Sequence, residues 1–169
     1  MADNARDIYI VGLRNQHAVE NQAVELLERQ VGRLENYPEM RERLRRHIDE
    51  SKEQARRLEE ILSGLGASES TLKDTMMSLA GNLMAIGHST AADEVVKNTF
   101  ANFAFEHFEI AAYKSLLTLA EATSDFAGQS LLQTSLQEEQ AMADWIEQQI
   151  GPTTLRYLER SVAGVTAGV

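Results

Sequence analysis

Two glutamates occupy positions at which the sequence pattern calls for an apolar side chain. Glu20 lies seven residues after Leu13 and seven before Leu27. Glu139 lies seven residues before Ile146. Since residues seven apart share one face of a helix, both carboxylates are predicted to point inward with their apolar neighbours. A buried carboxylate is costly unless it is paired, protonated or bound to a metal ion, so these positions indicate metal binding.

Three further glutamates lie on or beside an apolar stripe. Glu106 lies three residues after Phe103 and four before Ile110. Glu109 follows one helical turn later and points in the same direction. Glu50 borders the apolar stripe of an earlier segment. The sequence thus predicts five metal ligands: Glu20, Glu50, Glu106, Glu109 and Glu139.

The depth of these glutamates along their helices is similar. Glu20 lies about fifteen residues before the end of the first predicted turn, and Glu50 about twelve residues after that turn. Glu106 and Glu139 lie about seventeen residues before and about fourteen residues after the other turn. With a rise of about 1.5 Å per residue, the two positions in each hairpin fall within about 5 Å in height. Negative charges at one level repel one another, and bound cations are the ordinary remedy.

The kind of ion follows from the kind of ligand. Oxygen-rich sites select hard cations, and carboxylate-bridged pairs in helical bundles suit iron or manganese. We therefore expect two iron ions per chain, with manganese as the alternative. The usual bundle site also has a histidine three residues after a glutamate on two helices. Here no histidine follows Glu50, Glu106 or Glu139 at that spacing.

The composition restricts the class of protein. The chain of 169 residues carries 26 acidic and 16 basic side chains, a formal net charge of −10 at pH 7. Because phosphate binding needs a basic surface, we expect no nucleic-acid partner. The absence of cysteine excludes disulfides and thiolate metal sites and fits a cytoplasmic protein. We expect no membrane partner either, since no segment approaches about 18 consecutive apolar residues and no secretory signal is visible.

The elements that must position the glutamates are helices. Apolar residues recur with a period near 3.6, and no stretch alternates with a period of two. Helices are predicted at about 8–35, 38–62, 70–86, 91–123 and 126–150, of which the third is short. Gly151 and Pro152 are expected to end the last of them, before a short helix at about 153–162 and a tail that frays. The prediction is an all-α, single domain over residues 1–169, with about 151–169 as a C-terminal extension. Its four long helices form two antiparallel hairpins, and the short extra helix lies in the crossover between helices 2 and 3.

Four segments of the chain resemble a known family. They read HAVENQ at 17–22, HIDES at 47–51, EHFEIAAY at 106–113 and LLQTSLQEE at 131–139. All four are similar to segments of the YciE/YciF family of ferritin-like bacterial proteins, and EHFEIAAY is the most specific. The likeness extends over nearly the whole chain to about Ile150, with Asp49 and Ser51 as mild departures from the family pattern.

The resemblance implies a fold and a role. It implies a ferritin-like antiparallel four-helix bundle, often a homodimer, with a two-metal centre and an association with bacterial stress responses. It also implies metal roles for the five glutamates named above. If the centre is redox-active, it would oxidise Fe(II) or consume peroxide.

Three other readings of the sequence stay open. One is a metal-free structural or protein-interaction protein in which arginine and histidine neutralise the glutamates. Another is a DNA-protecting miniferritin cage, against which the negative net charge argues. The third is an oxygenase or oxidase for an organic substrate. It also stays open whether His17, His47 or Glu53, each within one turn of a predicted ligand, binds metal as well.

Overall fold

The computed structural model of the protein describes residues 2–67 and 92–168. In this part of the chain there are four α-helices and no strand: α1 (Ala2–Val31), α2 (Pro38–Gly64), α3 (Glu94–Ala122) and α4 (Phe126–Val162). The all-helical prediction is confirmed for these residues, and the predicted short helix at about 70–86 lies outside them. None of the helices in the described ranges combines the length and the apolar character that crossing a membrane requires.

The helix boundaries follow local signals in most places. Pro38 begins α2 as predicted, because its missing N–H is at a position where no intrahelical bond is available. Asp125 precedes α4, and its side chain accepts a hydrogen bond from the backbone N–H of Gly128. The first helix differs from the prediction, since it begins at Ala2 instead of about residue 8 and ends at Val31.

The predicted break at Gly151 and Pro152 is wrong, because α4 continues through Pro152 to Val162. A proline inside a helix removes one backbone hydrogen bond and crowds the preceding turn. Pro152 lies on the exposed side of α4, whereas the next residue, Thr153, is buried. One turn further on, Tyr157 packs against the apolar core. Packing of this face against the bundle therefore outweighs the local effect of the proline.

The tail after α4 folds back on the end of the bundle. The hydroxyl of Tyr37 donates a hydrogen bond to the carbonyl of Ala167 over 2.6 Å. The carbonyl of Gly168 accepts from the backbone N–H of Val95 over 3.1 Å. The expectation that this tail frays is therefore wrong as far as Gly168, because the tail ties together the starts of α2 and α3.

The direction of the helices follows from their turns and contacts. The short turns between α1 and α2 and between α3 and α4 make each of these pairs an antiparallel hairpin. Gln16 of α1 bonds Glu109 of α3, whereas Gln30 bonds Asn102, so α1 and α3 also run antiparallel. Since α2 and α3 are both antiparallel to α1, they run in the same direction. The end of α2 and the start of α3 therefore lie at opposite ends of the bundle.

The core consists of two apolar clusters, one towards each end of the bundle. The first cluster includes Tyr9, Leu13, Leu58, Leu116 and Leu132. The second cluster includes Leu27, Leu44, Ile48, Met142 and Ile146. In all four helices a stretch with buried polar residues lies between the two clusters. The clusters thus enclose a polar layer from above and below.

The core assignment can be tested with two leucines of α4. The Leu132 side chain is 1% exposed in the first cluster, whereas that of Leu158 is 54% exposed. Leu132→Ala is expected to lower the free energy of unfolding by about 2–5 kcal/mol, because it leaves a cavity. Leu158→Ala should change it by about 0.5 kcal/mol or less. Chemical denaturation followed by circular dichroism measures both, and equal losses would contradict the assignment.

Candidate metal centre

Each helix contributes at least one ionisable side chain to the polar layer between the clusters. Glu20 comes from α1, His47 from α2, Glu106 and Glu109 from α3, and Glu139 from α4. At most 2% of any of these residues is exposed. The layer therefore contains four of the five predicted ligands, together with a histidine that the sequence left open.

Three of these side chains lie close enough to share one ion. Nε2 of His47 lies 3.1 Å from Oε2 of Glu106 and 3.8 Å from Oε2 of Glu139. One ligating atom from each of the three residues lies within 4.8 Å of the other two. Atoms that each lie about 2.1 Å from an ion are about 3–4 Å apart, so the spacing suits a cation bound between them.

The other two glutamates share a glutamine. Nε2 of Gln16 donates to Oε1 of Glu20 over 2.9 Å and to Oε1 of Glu109 over 3.3 Å. The hydroxyl of Tyr113 donates to the same oxygen of Glu20 over 2.5 Å. These neutral donors hold one oxygen of each carboxylate in place without neutralising its charge.

The second oxygen of each glutamate is left without a donor. Among the described residues, Oε2 of Glu20, Glu106, Glu109 and Glu139 makes no hydrogen bond. Nε2 of His47 faces Glu106 but likewise lacks hydrogen-bond geometry. Buried polar atoms are rarely unpaired, since each costs about 1–3 kcal/mol and charged ones cost more. Four oxygens and one imidazole nitrogen are the donor set of a hard or borderline divalent cation, so the residues fit a metal.

The pKa values of three buried glutamates are raised in this layer. Burial raises the pKa of Glu20 to about 7, although the hydrogen bonds of Tyr113 and Gln16 lower it. Burial, followed by the charges of neighbouring glutamates, raises the pKa values of Glu109 and Glu139 well above their usual range.

Two influences act in opposite directions on the pKa of His47. Burial alone lowers its pKa, but the neighbouring carboxylate of Glu106, together with Glu50 and Glu139, raises it well above its ordinary value. The metal-free layer therefore favours bound protons, which a cation would displace.

Glu50, the fifth predicted ligand, lies at the edge of the layer. Its Oε2 lies 2.8 Å from Nδ1 of His47 and accepts a hydrogen bond from Nη1 of Arg43 over 3.0 Å. Its side chain is 32% exposed. Burial raises the pKa of Glu50, but the contacts with His47 and Arg43 outweigh this effect and lower it. The structure thus places Glu50 behind the imidazole and not among the buried carboxylates.

The two other candidates that the sequence left open lie outside the layer. His17 bonds Glu59 over 2.8 Å at the exposed junction of α1 and α2. Glu53 is bound by the guanidinium of Arg56 over 2.6 Å at the surface. Neither side chain is brought to the buried carboxylates.

The spacing of residues on α2 indicates that His47 faces the interior of the bundle. His47, Ser51 and Gln54 are all buried, and they follow the 3-4 spacing from Leu44 to Leu58. A stripe that is apolar at both ends and polar between them therefore indicates His47 and Gln54 as inward-facing residues. Gln54 donates to Oε1 of Glu139 over 2.6 Å. A second, apolar stripe through Ile48 and Ala55 lies beside it on α2.

Comparison with known proteins identifies relatives over most of the chain. A family model described as "Domain of unknown function (DUF892)" matches residues 4–159. A solved structure from Xanthomonas campestris pv. campestris is similar at 26% identity, with a TM-score of 0.78, over 93% of this chain and 98% of that one.

Two further solved structures have the same fold. The E. coli stress protein YciF is 25% identical, with a TM-score of 0.70, over 86% of this chain and 94% of that one. YcfI from Rhodopseudomonas palustris is 23% identical, with a TM-score of 0.66, over 85% of this chain and 92% of that one. The four-helix fold is thus shared over nearly the whole length of these chains.

The metal-free protein is expected to lose stability as the pH rises from 4.5 to about 7. A carboxyl group with a higher pKa in the folded than in the unfolded chain binds its proton more tightly when folded, so the free energy of unfolding falls as the pH rises between the two values. For Glu20 this interval runs from 4.5 to about 7. The raised pKa values of Glu109, Glu139 and His47 act in the same direction.

Melting temperatures measured in the presence of a chelator test this expectation. Glu20→Gln should make the melting temperature less dependent on pH, because it removes one of the titrating groups. A melting temperature that stays constant or rises between these pH values would contradict the electrostatics described above.

Proposed function

The chain belongs to the DUF892 family, and we propose that it binds two divalent metal ions, iron first and manganese second, in the buried layer of its bundle. The observation that carries the proposal is the set of four buried carboxylates, each with one oxygen that has no donor among the described residues. These free oxygens and Nε2 of His47 belong to one layer sealed by apolar clusters.

The charge of the layer supports two ions in preference to one. Four ionised carboxylates carry a charge of −4, and the one cationic side chain within the described layer is His47. Arg43 and Arg57 are engaged elsewhere, since Arg43 binds Glu50 and Arg57 binds Glu138. Two divalent cations would balance the four carboxylates, and hydrophobic surroundings make such balance necessary.

The ligand types favour iron or manganese. Carboxylate oxygens with a single imidazole suit these ions, whereas thiolates, which select softer metals, are absent from the sequence. The direction of the helices supports a ferritin-like bundle, in which one long crossover joins two antiparallel hairpins. Carboxylate-rich dimetal sites occur in bundles of this kind.

The protein's own residues would prepare this site. Gln16, Tyr113 and Gln54 bind Oε1 of Glu20, Glu109 and Glu139, so that Oε2 of each stays available to an ion. The two apolar clusters exclude bulk water. Bound iron would supply one-electron chemistry, and we propose that the site oxidises Fe(II) to Fe(III) with O₂ or peroxide as the electron acceptor, so that peroxide is consumed by reduction to water. Because the similar E. coli protein YciF is described as a stress protein, we place this function in a bacterial stress response in the cytoplasm.

A second candidate function is a metal-free structural or interaction protein. The contact between His47 and Glu106 and the hydrogen bonds from Gln16, Tyr113 and Gln54 favour it, since they partly satisfy the carboxylates without an ion. It leaves four oxygens unpaired, and for that reason the metal-binding function is preferred.

Metal content distinguishes the two functions. Purified protein loaded anaerobically with Fe(II) and desalted is expected to retain two ions per chain by elemental analysis. Glu20→Gln and Glu139→Gln keep the side-chain volume and should each lower the content by at least one ion per chain. Glu28→Gln is the matched control, because Glu28 lies at the surface and bonds Lys52. Wild-type protein that retains less than one ion per two chains would contradict the proposal.

We also propose that the protein is a homodimer. Large apolar side chains stay exposed along α1 and α3, among them Ile8, Val11, Phe100 and Phe108. Light scattering after size exclusion is expected to give a mass near twice the 18.8 kDa of the chain. The mass of a dodecamer would instead favour the miniferritin cage, and that of a monomer would contradict the dimer.

A further inference from the structure

We propose that Glu50 is not a metal ligand but a positioning residue that holds His47 with Nε2 turned towards the buried carboxylates. The inference rests on the metal-binding function proposed above. Its starting point is the position of the two ring nitrogens of His47. Nδ1 lies 2.8 Å from Oε2 of Glu50, and Nε2 lies 3.1 Å from Oε2 of Glu106.

These two contacts lie on opposite sides of one ring. An imidazole directs its two nitrogens away from each other, so Glu50 lies behind the ring and Glu106 in front of it. Glu139 lies on the same side as Glu106, with Oε2 at 3.8 Å from Nε2. An ion bound to Nε2 among the buried carboxylates is therefore separated from Glu50 by the ring.

Glu50 is itself held in this position. Nη1 of Arg43, two turns earlier on α2, donates to the same oxygen over 3.0 Å. The Arg43 side chain is 10% exposed, whereas that of Glu50 is 32% exposed. Turning Glu50 inward would break both contacts and leave a largely buried guanidinium without this partner. The carboxylate is thus anchored at the boundary between the layer and solvent.

The consequence for metal binding is chemical as well as geometric. A carboxylate that accepts a hydrogen bond from Nδ1–H fixes the proton on that nitrogen. The Nε2 lone pair is then free for an ion, and the imidazole becomes a stronger ligand. Removal of such a partner typically weakens metal binding about 10–100-fold without removing a ligand. Glu50 would therefore affect affinity and not the number of ions bound.

Titration with Co(II) shows whether Glu50 is a metal ligand or a positioning residue. Glu50→Ala is expected to bind Co(II) about 10–100-fold more weakly, with unchanged stoichiometry and an unchanged pattern of visible absorption bands. Glu50→Gln keeps an acceptor for the Nδ1 proton and should lie closer to wild type. Glu53→Ala, three residues away on the exposed face of α2, is the matched control and should bind as wild type does. Loss of an ion, altered absorption bands, or an affinity of Glu50→Ala equal to that of the control would overturn the proposal.

A second measurement needs no metal. In metal-free protein labelled with ¹⁵N-histidine, the Nδ1 proton of His47, assigned by its absence in His47→Gln, should exchange slowly because it is buried and bonded to Glu50. Glu50→Ala should lose this signal, and Glu53→Ala should keep it. A signal that persists in Glu50→Ala, or is missing from wild type, would overturn the positioning role. If wild type binds no Co(II) or Fe(II), the metal-binding function fails, while this signal still decides whether Glu50 orients the ring.

Discussion

The burial of four carboxylates between two apolar clusters is the constraint on which the rest of this structure depends. Glu20, Glu106, Glu109 and Glu139 are removed from water by leucine, isoleucine and methionine on both sides. Their charges cannot be spread into solvent, so they must be met by protons, by hydrogen-bond donors or by cations. The polar residues around them are arranged accordingly.

The hydrogen-bond donors of the protein satisfy these carboxylates only in part. Amide and hydroxyl groups of Gln16, Gln54 and Tyr113 bind one oxygen of a glutamate and supply no positive charge. Guanidinium groups, which would supply it, bind the peripheral Glu50 and Glu138. Inside the layer the carboxylates thus meet neutral donors and the imidazole of His47, while the guanidinium groups of Arg43 and Arg57 stay at its edge. This division leaves carboxylate oxygens available for a metal ion.

Much of the fold could be predicted from local rules. The 3.6-residue period located α2 to within two residues and α3 to within three at its start, and Pro38 marked the beginning of α2. The seven-residue spacing placed Glu20 and Glu139 inside the bundle, because a helix fixes which residues share a face. The break at Pro152 was wrong, since burial of Thr153 and packing of Tyr157 outweigh the loss of one backbone hydrogen bond.

The sequence by itself determined that several carboxylates would meet at one depth, since helical period and rise depend on the backbone alone. Which side chain of α2 would join them was decided by tertiary structure. The helical period allows two neighbouring stripes on α2, one through His47 and Gln54 and one through Ile48 and Ala55, and it does not by itself decide which of them faces the layer. The packing of α2 against α1 and α4 sets its rotation, turning His47 inward and leaving Glu50 at the edge. A period gives the relative angles of residues around a helix, whereas its orientation in the bundle depends on neighbours distant in the sequence.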